Sequence, residues 1–124
     1  MAYATIDMFV HEFGEPAVRR MLNQVGDEPL DTARIETALN QASAELDDAF
    51  RPTGAVLPLA SPGAFIVSQC LDIARYRLAN SSDVMDDEIR KRYENVKARL
   101  DQIKDYAAPP STGAFYSASP RRGW

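Results

Sequence analysis

A small all-α bundle of about four to five helices, with an extended apolar loop and a disordered C-terminal tail, is the fold that this sequence predicts. Three observations predict it. Apolar residues recur at steps of three and four through most of residues 5–107. Prolines and glycines punctuate those stretches, most densely at residues 51–62, and return after Ala108. The composition, 45% hydrophobic and 26% charged over 124 residues, suffices for one core in one domain.

The first helix is expected from Thr5 to Phe13, with Thr5 as its cap and Gly14 as the residue that ends it. A second short helix fits Glu15 to Val25, with Pro16 tolerated in its first turn. Ala17, Val18, Met21, Leu22 and Val25 form its apolar stripe, and Gly26-Asp27-Glu28-Pro29 forces a turn. A third helix fits Thr32 to Phe50. Asp31 caps it, and Leu30 and Ile35 can form a hydrophobic staple. Its buried face reads Ile35, Ala38, Leu39, Ala42, Leu46, Ala49 and Phe50, opposite Glu36, Glu45 and Asp48.

Residues 51–62 break the pattern. Pro52, Gly54, Pro58 and Pro62 exclude a regular helix, yet Ala55, Val56, Leu57 and Leu59 are apolar. Such a loop can pack on its own core or on a neighbour, so Val56, Leu57 and Leu59 are candidate contact residues. Ser61 and Pro62 then suit the cap and first turn of a helix running to Ala79. Phe65, Ile66, Val67, Cys70, Leu71, Ile73, Ala74 and Leu78 make it apolar nearly all round, as befits the central helix. Arg75 and Arg77 are expected to surface near its end, where the helix dipole favours cations. The last helix is expected from Asp83 to Ala107. Three acid-to-base pairs at i,i+4 (Asp86–Arg90, Asp87–Lys91, Glu88–Arg92) flank a seam of Ile89, Tyr93, Val96, Leu100 and Ile103.

The composition changes at Ala108, dividing a helical domain (1–107) from a tail (108–124). Pro109 and Pro110 open the tail, no acid occurs in it, and its composition is that of a disordered segment. It nevertheless holds Phe115, Tyr116, Arg121, Arg122 and Trp124, residue types favoured as interface anchors. They are the second group of candidate partner-binding residues.

Charge and chemistry narrow the function. Residues 1–50 carry ten acids and three bases, a net of −7; residues 51–124 carry eight acids and eleven bases, a net of +3. That polarity suits head-to-tail contact between identical subunits. A basic DNA-binding stripe is not evident. His11 and Cys70 are the only histidine and cysteine, too few for a zinc site, and Cys70 lies in an apolar helical run. Asp27, Glu28 and Asp31 around Gly26 lack the pattern of a calcium loop. No enzyme activity, metal or cofactor is expected. The N-terminus has no signal-peptide pattern and no apolar run approaches the ~18 residues of a membrane span.

The ordered set of motifs resembles the Mu-like phage head–tail connector (neck adaptor) family. The matching pieces are Tyr3-Ala4-Thr5, Phe13-Gly14-Glu15, the alanine-rich Ala38 to Ala49 helix and Leu57-Pro58-Leu59. The stretch from Cys70 through Asp72-Ile73-Ala74-Arg75-Tyr76 to Leu78 carries most of the weight, and Arg92-Tyr93-Glu94 follows. Together they cover residues 3–107. The acidic turn common in the family is shortened here to Gly26-Asp27-Glu28-Pro29. The resemblance implies a virion protein made in the host cytoplasm, monomeric in solution. It would join a ring, usually twelvefold, at the head–tail junction between the portal protein and a downstream neck or tail protein, with DNA passing through the lumen without sequence-specific contact. Two other classes fit the residues: a soluble adaptor whose tail binds a host protein, and a small helical DNA-binding protein.

Overall fold

The computed structural model describes residues 2–107, and the expected tail lies outside them. Five helices run in the order α1 (Ile6–Phe13), α2 (Glu15–Met21), α3 (Thr32–Phe50), α4 (Ala64–Ser81) and α5 (Asp87–Ala107), with a 3-10 turn at Arg51–Thr53. The all-α bundle is as expected, and no strand occurs among the described residues.

Thr5 caps α1 by accepting from the Met8 N–H. Gly14 ends α1 and begins α2 at φ 82°, a backbone that a side chain would strain, so one glycine makes the corner between them. Asp31 caps α3 through the Arg34 N–H, and Ile35, Leu39, Ala42, Leu46 and Ala49 fall on its buried face. α4 packs against both α3 and α5, burying Ile66, Cys70, Ile73, Ala74 and Leu78. It is the central helix for the predicted reason: a helix apolar on all sides needs neighbours on all sides. α1 closes the core with Phe9, which is fully buried and meets Phe13 edge-on at 5.0 Å. On α5, Ile89, Val96 and Leu100 are buried while Tyr93 and Ile103 are half-buried, so the predicted seam exists and faces its own chain.

Several boundaries differ from expectation. α2 stops at Met21, and Val25 is 81% exposed rather than part of the stripe. Asn23, left-handed at φ 56°, turns the chain away first. α4 starts at Ala64 with Gly63 as its cap, so Ser61 and Pro62 belong to the loop. α5 starts at Asp87, because Asp86 accepts from the Ile89 N–H and caps the helix, while Asp83 is left-handed at φ 58°. The three i,i+4 pairs do not form. Asp87 pairs with Arg90 at 3.2 Å, whereas Glu88 and Arg92 reach across to α4.

Candidate partner-binding surface

The loop from Gly54 to Gly63 is fastened at its middle by Tyr3. The Tyr3 hydroxyl donates to Asp47 on α3 and accepts the Leu59 N–H at 2.8 Å. The Tyr3 N–H in turn donates to Ser43 Oγ at 2.9 Å, so the N-terminal segment, α3 and the loop meet at a single side chain. Burial, with Asp47 as acceptor, raises the Tyr3 pKa above its ordinary 10.0, which keeps the donor protonated. Gly54, left-handed at φ 80°, closes the 3-10 turn, and Thr53 Oγ1 donates to the Phe50 carbonyl while accepting the Ala55 N–H.

This geometry splits the loop candidates. Leu59 packs against the core of its own chain, and Leu57 is half-buried. Val56 is 86% exposed, a β-branched hydrophobe standing in water. Phe115, Tyr116, Arg121, Arg122 and Trp124 lie outside the described residues. One surface residue escaped the sequence reading. Phe65, expected in the apolar wall of α4, is 48% exposed in the first turn of that helix. The signal was the preceding Pro/Gly loop, which offers the first turn no packed helix on that side.

The polar groups of the bundle interior are wired between helices. Arg77 on α4 pairs with Glu45 on α3 at 2.6 Å, and the Tyr93 hydroxyl on α5 donates to the other Glu45 oxygen at 3.0 Å. The Tyr93 ring stacks on Tyr76 at 3.9 Å. Burial and then the bond to Glu45 push the Tyr93 pKa up to about 12. Glu45 and Arg77 were both expected to be solvated; each is instead drawn inward by the other. Arg75, also expected at the surface, is buried, with its guanidinium 4.6 Å from the Phe13 ring centroid and 3.6 Å from Glu88.

Between α4 and α5 runs a polar groove of about 510 Å³, whose lining includes Glu12, Gln69, Asp72, Arg92 and Arg99. Asp72 pairs with Arg92 at 3.3 Å, yet burial outweighs that attraction and raises its pKa above 3.8. Cys70 is fully buried under Ser43, and burial lifts its thiol above the ordinary 9.0. His11 is exposed on α1. The Asp27 turn is organised by Gln24, which donates to the Pro29 carbonyl and accepts the Asp31 N–H, while the Asp31 carboxylate serves α3.

Exposed charge differs by element: Asp7, Glu12, Glu36 and Asp48 make the outer sides of α1 and α3 acidic, whereas α5 exposes both signs, Arg90, Lys91, Lys97 and Lys104 beside Asp87, Glu88, Glu94, Asp101 and Asp105. No described helix is long and apolar enough to cross a membrane.

Fold and surface together define a small all-α bundle with a self-contained core, exposed apolar side chains at one end and an acidic outer side on α1 and α3. The sequence model of the family described as Bacteriophage Mu, Gp36 matches residues 3–109, and the chain belongs to that family. The resemblance drawn from the motifs to a Mu-like phage family therefore holds, over nearly the same span. A search of curated proteins returns no match to the chain.

Proposed function

We propose that the chain is a structural protein of the phage virion, a head–tail connector subunit that enters a ring under the portal after DNA packaging and joins head to tail. The observation that carries this reading is membership of the Mu phage family over residues 3–109. The surface supports it. A closed ring needs two different faces on each subunit that fit one another. The acidic outer sides of α1 and α3 can meet individual bases on the mixed surface of α5, such as Lys91 and Lys97, and opposite charge speeds and orients that encounter. Val56 and the tail residues Phe115, Tyr116, Arg121, Arg122 and Trp124 are the proposed anchors on the portal or on a neighbouring subunit. Ordering the tail costs conformational entropy, which those aromatic and arginine contacts must offset. The lumen of such a ring passes DNA through non-specific contact.

The test is light scattering of the purified protein alone and mixed with isolated portal rings. The connector reading expects a monomer that forms a large stoichiometric complex only with portal. A monomer that ignores portal at high concentration overturns it. Truncation after Ala108 is expected to leave a folded monomer that fails to complete heads; infectious particles from the truncated protein would remove the tail from the proposal.

A further inference from the structure

The end of the bundle where α5 stops carries an apolar hollow of about 460 Å³ lined by Thr53, Phe65, Arg99, Gln102 and Ile103. Phe65, 48% exposed, lines it, and the Arg99 guanidinium stands 6.0 Å from the centroid of that ring. Ile103 packs against the core on one side and opens to the hollow on the other. Among the described residues, Phe65 and Val56 are two of the few large hydrophobic side chains left in water, and they sit at the α3-to-α4 connection.

We infer that, in the free protein, the chain's own tail occupies this hollow, with Phe115 and Tyr116 seated in it. Position comes first. Ile103 lies four residues before Ala107, about 6 Å along the helix axis at 1.5 Å per residue. Pro109 and Pro110 cannot continue the helix, so the chain leaves its line within a few residues of the hollow. Length comes second. Phe115 is eight residues beyond Ala107 and can reach about 26 Å, ample for a return of one or two helical turns. Chemistry comes third. The two aromatics are adjacent, each can remove ~150–250 Å² from water, and Arg99 offers its face to a second ring as it does to Phe65.

A tail on so short a tether is held at a local concentration of ~1 mM, far above any second copy in dilute solution. The contact therefore forms within one chain before it forms between chains. The inference does not depend on the connector reading. Where that reading holds, the hollow must release the tail before the tail can grip another protein, and the exposed hollow becomes a second contact surface at the same moment.

The experiment compares amide hydrogen exchange and backbone NMR of the full-length wild type with the full-length variants F115A/Y116A and F65S. In the wild type, the Phe115 and Tyr116 amides are expected to exchange about tenfold more slowly than in F65S, the protection a weak contact gains from ~1 mM local concentration. The amides of Thr53, Phe65 and Ile103 should shift in F115A/Y116A, while those around Asp31, at the other end of α3, stay in place. Both effects should be independent of protein concentration. Equal exchange in wild type and F65S overturns the inference. So does protection that disappears on dilution, which would assign the hollow to a second copy. Unchanged α4 and α5 signals elsewhere in F65S show that the fold survived. A free protein that passes this test and yet ignores portal would refute the connector reading alone.

Discussion

The two ends of this bundle are built from different chemistry. At the end where α3 begins and α4 finishes, polar side chains lace the segments together. Arg34 donates to the Leu22 carbonyl at 3.0 Å and to Ser82 Oγ at 2.7 Å, and Asn23 donates to the Ser82 carbonyl at 3.3 Å. At the opposite end, where α3 finishes and α4 begins, Tyr3 and Thr53 tie the loop to the bundle, and Phe65 and Val56 remain in water. The first end is closed by directional bonds within the chain; the second is left apolar and open. A subunit that must stay folded alone and still find partners can divide its surface in this way, keeping one end self-satisfied and the other adhesive.

Substitutions at each end can break this comparison. The largest effect is expected from Arg34→Met, which leaves the Leu22 carbonyl without its charged donor and Ser82 without its partner. The loss should be about 2–3 kcal/mol in urea unfolding, since bonds to charged groups are worth about 1.5–3 kcal/mol. A loss below about 0.5 kcal/mol would mean that this end is not held by its polar lacing.

Between the ends, Tyr93 supplies a pH-dependent bond. Its pKa in the fold, about 12, lies above the ordinary 10.0, so the protonated hydroxyl is the stabilised form. Its contribution is complete below pH 10 and is lost as the pH rises through 12. Discounting for its partial contact with solvent, the bond should be worth about 1–2 kcal/mol, read as a fall in Tm between about pH 10 and 12. Tyr93→Phe should flatten most of that fall. Tyr3 and Cys70, both raised by burial, contribute to the slope that remains.

Tyr3→Phe removes the hydroxyl that ties the middle of the loop to α3 and leaves the Leu59 N–H without its acceptor. About 1 kcal/mol of stability should be lost, with faster amide exchange confined to the loop. The smallest effect on the fold is expected from Val56→Ser, within about 0.5 kcal/mol, because its side chain touches water rather than core. If the open end is the contact end, the same substitution weakens assembly with portal. Unchanged assembly would move the contact to another face.

The core was readable from the sequence where one local pattern decides the outcome. The Asp31 cap, the α3 stripe from Ile35 to Ala49 and the apolar α4 all stand where periodicity and capping put them. The boundaries that moved were set by competition between neighbouring capping groups. Asp86 displaces Asp83 because its carboxylate reaches the Ile89 N–H, and Gly63 displaces Ser61 once the prolines of the loop hold the chain extended. The charged residues were the least readable. Glu45, Arg75 and Arg77 look solvated by spacing alone, yet partners on other helices draw them inward, and Glu88 and Arg92 prefer α4 to each other. Of the surface candidates, the loop was legible as apolar, but the division between inward Leu59 and outward Val56 depends on Tyr3, fifty-six residues earlier in the chain than its hydrogen-bond partner Leu59.

Cys70 gives the protein a use that its packing creates. The thiol lies in the middle of α4, 3.6 Å from Ser43 Oγ and 3.9 Å from the Leu39 carbonyl, with no exposed surface. A thiol-directed reagent meets it only when α3 and α4 separate, and the chain has no other sulfhydryl to confuse the reading. Labelling at Cys70 therefore times the opening of the core. Mixed with portal, the protein would report through this one atom whether assembly leaves the bundle shut or pries it apart.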